Sequence, residues 1–199
     1  MNLPSTIHIT FAALLAGLTT AAVAEPASYE IDEDHFSIGF MVDHIGYADT
    51  LGQFLEAEGR FVYDEAANEL NEGEVIVRAD SVFTNHERRD DHLRGDDFLN
   101  ASTHATIRFE ATEWIPDDDS SGTLEGELSL LGQTRPVSLQ VTVNKSAPYP
   151  FGHGQHTLGI SARTTIERSE WGMSYGVEDG LVGDEVELIF EFEAIRQQD

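Results

Sequence analysis

The sequence predicts an all-β protein: an eight-stranded antiparallel barrel with a short helical insert between strands three and four. Three observations carry that prediction. Apolar and polar residues alternate through most of the chain with a period of two, the repeat of a half-buried strand. Runs of Gly, Pro, Asn and Asp separate the alternating segments. Strands with one apolar face each need a shared interior, and closing the sheet buries those faces while removing exposed edges. A two-sheet sandwich is the alternative architecture.

In the first strand Phe36, Ile38, Phe40 and Val42 share one face. His44 follows on the same parity and points inward at the strand's end, where a polar group needs a partner. A hydrogen-bonded core histidine and a ligand-contacting one both fit that position. Gly46 to Gly52 reads as a turn. Phe54 then lies at even parity, and Ala57, Gly59, Phe61 and Tyr63 lie at odd. That switch predicts a β-bulge near Leu55 or Glu56, bending the sheet towards closure. Val75, Val77 and Ala79 form strand three.

From Asn85 to Asn100 the two-residue period stops, which predicts a short helix capped by Asn85 and then a loop, with Leu93 and Phe98 as apolar anchors. Strand four is Ile107, Phe109 and Ala111. Strands five (Leu124, Gly126, Leu128, Leu130) and six (Val137, Leu139, Val141, Val143) read as a hairpin. Leu158 to Ile166 is strand seven, and Val186, Leu188, Phe190 and Phe192 are strand eight, backed by glutamates on the other face.

Residues 1–24 are excluded from this fold. The chain is mostly apolar from Ile7 to Val23, and Ala22-Val23-Ala24 has small residues at the two positions a signal peptidase inspects. The expectation is a signal peptide cleaved before Glu25, leaving residues 25–199 as one domain in the periplasm or secreted. No Lys or Arg precedes Arg60, which is atypical of such a leader. His8, Thr10, Thr19 and Thr20 break the apolar run, which is short for a span, so no stable membrane insertion is expected.

The chain carries 37 Asp and Glu against 11 Lys and Arg, a formal net charge of -26. Nucleic acid and anionic membrane surfaces would repel it and are not expected as partners. With no cysteine, disulfides, a thiol nucleophile and thiolate metal sites are excluded. The closest histidine pair, in His153-Gly154-Gln155-His156, has no matching carboxylate spacing, and no metal ligand is assigned. Ser169, between Arg168 and Glu170, lacks the context of a catalytic nucleophile, so no catalytic residue is assigned and the protein is read as non-enzymatic.

Three of the 11 basic residues sit in the stretch Arg88 to Phe98. It follows strand three and precedes strand four, so it can lie across one mouth of the barrel. Arg89 and Asp90 are adjacent and diverge on a helix, so their partners must lie elsewhere. Arg168 and Glu170 are the expected ones, in an ion-pair network pinning the insert.

The small inward residues Ala57, Gly59, Ala79, Ala111, Gly126, Ala162 and Thr164 predict volume left inside the barrel. A long apolar tail suits such a space. Each buried CH₂ is worth about 0.8 kcal/mol, and micromolar affinity needs only about 8 kcal/mol.

Several motifs then appear together: Tyr29-Glu30-Ile31-Asp32 with His35-Phe36-Ser37 and Phe40 to His44; Gly52-Gln53-Phe54; Arg89-Asp90 with His92-Leu93 and Asp97-Phe98; Gly126 to Gly132 leading to Pro136-Val137; and Arg168 to Met173 followed by Gly183-Asp184-Glu185-Val186. In this order and spacing the chain resembles the YceI-like family of periplasmic, polyisoprenoid-binding, lipocalin-like proteins. The resemblance implies a lipocalin-like barrel whose apolar tunnel holds an isoprenoid or fatty tail. The expected function is non-catalytic binding, transport or storage of an isoprenoid lipid, polyprenyl compound or quinone, or of a fatty-acyl amphiphile. A periplasmic enzyme and a stress-related scaffold barrel without ligand are the alternatives. No cofactor is expected beyond the bound lipid, and a homodimer is compatible with the reading. Two departures from the family pattern are Ala105, where Pro is usual, and Ala57, where an aromatic is common. The second implies a reshaped pocket.

Parity nominates the ligand-contacting wall: Phe36, Ile38, Phe40, Val42, Phe54, Val75, Val77, Ile107, Phe109, Leu128, Leu139, Ile160 and Phe190. His44, Arg89, Asp90 and His92 are the expected polar contacts.

Overall fold

Every strand predicted from the alternation is present, and the ring closes where the last strand pairs with the first. A computed structural model describes residues 25–198; the signal peptide expected over residues 1–24 lies outside them. The elements are β1 (Ala27–His44), β2 (Ala48–Phe54), β3 (Ala57–Asp64), β4 (Glu69–Arg78), β5 (Val82–Phe83), α1 (Glu87–Arg94), β6 (Thr106–Pro116), β7 (Ser121–Leu130), β8 (Gln133–Pro148), β9 (His156–Glu167) and β10 (Val182–Arg196). All pairings are antiparallel between neighbours in the ring, and β2 and β3 together occupy one strand's place against β1. The barrel therefore has eight long staves and an up-and-down order.

The parity switch after Phe54 is a full break rather than a one-residue bulge. Leu55 and Glu56 leave the ladder, and the Ser81 hydroxyl accepts both of their N–H groups at 3.2 and 3.1 Å. The break frees β2 to pair with the short β5 while β3 pairs with β4. The turn expected over Gly46 to Gly52 is shorter, because β2 begins at Ala48. Gly52 is a strand residue: a Cβ there would meet the Phe40 ring at 2.1 Å, so Phe40 fills the space the glycine leaves.

Gly126 and Gly59 behave the same way, against the expectation that they open the interior. The Phe109 ring lies 2.2 Å from where a Gly126 Cβ would be, and Ile31 Cδ1 lies 2.6 Å from that of Gly59. A large side chain packed across a strand glycine occupies the space that a Cβ would need.

The helix starts one residue later than expected. His86 is its N-cap, the ring nitrogen accepting from Arg89 N–H, and Asn85 instead takes a left-handed φ of 60° that asparagine tolerates.

Chain direction gives the barrel two distinct ends. The β1–β2 turn, the insert from Ala79 to Ala105 and the segment from Arg168 to Leu181 gather at one end, the mouth. At the other, Tyr29, Leu158, Ile160, Ala27 and Ala194 form a closed plug with Phe61, Tyr63 and Phe192. Tyr29 is fully buried and stacks on Phe61 at 5.1 Å. Its hydroxyl donates to Glu65 at 2.5 Å, giving the buried polar tip its required partner.

Candidate functional site

The remaining interior is a cavity of about 410 Å³, open at the mouth. Its wall is apolar apart from Thr164, and the other polar groups gather at the lip: Asp43, His44, Thr50, Arg89, His92, Arg168 and Tyr175. Val75, Phe109, Leu188 and Phe190 all point inward yet remain half-exposed, because they face this space and not one another. Water in such a cavity finds few polar partners, so an apolar occupant is favoured over solvent.

Fourteen of the seventeen residues nominated from the sequence line the cavity: Ile38, Phe40, Val42, His44, Phe54, Val75, Val77, Arg89, His92, Ile107, Phe109, Leu128, Leu139 and Phe190. Three do not. Ile160 points inward but belongs to the closed plug, since parity selects a face and not a height along the barrel. Phe36 pairs with Phe192 near that same end and packs on the core. Asp90 is 4% exposed and turned away from the cavity, its carboxylate held by Thr84. Ala57, where the resemblance implied a reshaped pocket, packs beside the main core and does not line the cavity.

The alternation contained a signal for Leu130, Val137, Val186 and Leu188, which line the wall on the nominated parity. Ile45, Met173, Tyr175 and Leu181 come from irregular segments and carry no periodic signal.

Two elements frame the mouth. The helix α1 brings His92 into an edge-on cluster with Phe98 and Tyr175, at 5.0 and 5.1 Å, and His92 Nε2 lies 2.9 Å from Asp97. The expected ion pairs from the insert to Arg168 and Glu170 are not formed. Arg89 Nε and Nη2 donate to the Thr84 hydroxyl and carbonyl at 2.7 and 2.6 Å. Arg168, 2% exposed, donates to the carbonyls of Met173, Tyr175, Val182 and Gly183 at 2.6 to 3.0 Å. Burial lowers the pKa of this guanidinium and the Asp184 carboxylate opposes the shift; a guanidinium starts high enough to stay charged. Arg168 thus organises the segment Gly172 to Gly183 over the mouth. Trp171, 1% exposed, anchors it with an indole N–H donated to Leu128 O at 3.0 Å.

Neither serine cluster is arranged for nucleophilic catalysis. Ser169 donates its N–H and hydroxyl to Asp184 at 2.8 and 2.7 Å, a turn clasp. Near the closed end, Ser146 Oγ lies 2.9 Å and Glu65 Oε1 3.0 Å from the same nitrogen, Nε2 of His156. A general base needs its second nitrogen on the orienting acid, so this is a polar contact cluster and not a triad.

With this geometry in place, the chain matches the family model described as the YceI-like domain over residues 29–194. The protein belongs to the YceI-like family. A UPF0312 protein of Pseudomonas aeruginosa is 36% identical over 192 residues, covering 94% of this chain and 98% of that protein. Among solved structures, the Campylobacter jejuni YceI protein is similar with a TM-score of 0.71 at 23% identity, covering 79% of this chain and 90% of that one. A polyisoprenoid-binding domain from Saccharophagus degradans is similar with a TM-score of 0.64 at 12% identity, over 87% and 100% of the two chains. At those identities the two structures share the fold. Like them, this YceI-like chain is a closed antiparallel barrel, and among its described residues no helix is long and apolar enough to cross a membrane.

Proposed function

We propose that this YceI-like protein binds an isoprenoid lipid, such as a polyprenyl compound or quinone, or a fatty-acyl amphiphile, and carries or stores it in the periplasm without catalysis. The observation that carries the reading is the apolar cavity of about 410 Å³ whose polar groups, Thr164 apart, are gathered at the lip. An amphiphile matches that layout, its tail in the wall and its head among Arg89, His92 and Tyr175. The solved polyisoprenoid-binding domain of the same fold supports the ligand class. A barrel acting only as a scaffold needs no such space, and filling the interior would be the more stable solution.

Native mass spectrometry of the purified protein, followed by organic extraction, tests the reading. The expected result is a bound long-chain lipid released by solvent. A ligand-free protein that takes up neither polyprenyl nor acyl chains would overturn it.

A further inference from the structure

On the outer surface towards the closed end, β1 carries an irregularity that the alternation conceals. Ile31 pairs with Ala194 and Phe36 with Phe192, so Asp32, Glu33, Asp34 and His35 all stand opposite the single residue Glu193. A bulge of that size curls the strand. It brings Asp32 Oδ2 to 2.8 Å and Glu193 Oε2 to 3.8 Å from one nitrogen, His35 Nδ1. Among the described residues, this is the one group of three His, Asp or Glu side chains whose ligand atoms lie within 4.8 Å of one another.

Glu193 is the informative member. Glu191, on the same face of β10, accepts a hydrogen bond from Ser161 at 2.5 Å and pairs with Arg163 across the sheet. Glu193 has Gly159 at its cross-strand position instead, which offers no donor side chain. The Tyr149 hydroxyl faces the carboxylate, yet Oε2 is buried without a hydrogen-bond partner. The Glu193 side chain is 33% exposed as a whole, yet this one oxygen has no donor, and a cation supplies the missing partner. Asp34, His35 and Glu193 also line a groove open to solvent, which gives a small ion access.

We propose that Asp32, His35 and Glu193 form a site for a divalent first-row transition cation, with zinc the best fit. One imidazole nitrogen and two carboxylate oxygens are a borderline ligand set, whereas calcium requires six or more oxygens. With bonds of about 2.1 Å, the edge of a zinc tetrahedron is about 3.4 Å. The observed separations of 2.8 and 3.8 Å lie on either side of that value, and the two carboxylate oxygens lie within 4.8 Å of each other, so side-chain shifts on the order of an ångström admit the ion. The ion replaces the Asp32–His35 hydrogen bond: Nδ1 presents its lone pair, the ring proton sits on Nε2, and water completes the tetrahedron. None of the three residues lines the lipid cavity, so the site is independent of that reading. It joins the two halves of β1 to β10.

The test is calorimetric titration of the chelator-treated protein with zinc ion alone, together with thermal unfolding. The expected result is about one equivalent bound and a raised Tm, with His35→Ala and Glu193→Gln each weakening affinity on the order of 100-fold, at least the loss typical of outer-shell partners. Equal zinc affinity in wild type and variants would place the ion elsewhere, for instance on His153 and His156, and overturn the proposal. So would absence of zinc binding. Should the variants fail to fold, anomalous scattering from zinc-soaked wild-type crystals decides: a peak among the three side chains supports the site, and a peak only elsewhere, or none, overturns it.

Discussion

Asp90 and Thr84 hold the corner between β5 and α1: one Asp90 oxygen accepts both the backbone N–H and the hydroxyl of Thr84, at 2.8 and 2.5 Å. Both residues are buried. Asp90→Ala strands the Thr84 N–H, a loss of about 1–3 kcal/mol. The expected outcome is a lower urea midpoint at unchanged m-value. Arg89 binds the same threonine but is exposed and at the lip, so Arg89→Ala should cost less, about 0.5–1.5 kcal/mol, while weakening lipid retention in native mass spectrometry. The pin is Asp90 acting on Thr84, and Arg89 lies at the lip, where the proposed reading puts a headgroup.

Arg168 carries the opposite balance, a buried charge satisfied by four backbone carbonyls. Arg168→Ala leaves those carbonyls without their donors and should destabilise the protein by about 3 kcal/mol or more. Arg168→Lys should not rescue it, since an ammonium on a flexible stem cannot reproduce the fork. Denaturation midpoints measure the loss. Broad-specificity proteolysis of the variant should cut first between Gly172 and Gly183, where local opening is released.

The eight strands and their closure were legible because a half-buried strand repeats every two residues, and that repeat separated Phe40 from Gly39 and Phe190 from Glu191. Height along the barrel leaves no such trace, so parity alone puts Ile160 and Phe36 in the wall although they sit near the plug. Small residues misled at Gly126 and Gly59, since their space is taken by Phe109 and Ile31 from other strands. The bulge from Asp32 to His35 hid the first part of β1, and with it the approach of His35 to Glu193. Arg168 bonds backbone carbonyls, which no side-chain pattern encodes.

The cavity makes a prediction about packing. Leu188 lines the wall and is half-exposed to the cavity, so Leu188→Phe has room to place its ring there. Overpacking costs little where a void exists, and filling it contributes about 24 cal/mol per Å³, up to ~1 kcal/mol for one enlarged side chain. The expected outcome is reduced lipid occupancy in native mass spectrometry with an unchanged or higher Tm of the delipidated protein. Leu51→Phe, on the outer face of β2, should change neither.

Acid stability should depend on Glu65. Burial raises its carboxyl pKa, but hydrogen bonds from Ser146 and Tyr29 and the proximity of His156 outweigh that and hold it below the ordinary 4.5. The same contact, with burial as the larger cause, pushes the Tyr29 phenol well above its usual range. A carboxyl depressed in the folded state contributes stability that is fully present above its unfolded value, about 4.5, and is lost as pH falls through the folded one. Glu65→Gln removes that linkage together with the carboxylate contact to His156. The gap in urea midpoint between wild type and Glu65→Gln should be present above about pH 4.5 and shrink as pH falls below it. Tyr29 is fully buried above this carboxylate, so the lost acceptor is felt in the closed plug. A gap that stays constant down to pH ~3 would mean that the Glu65 cluster contributes hydrogen-bond geometry but no charge-dependent stability.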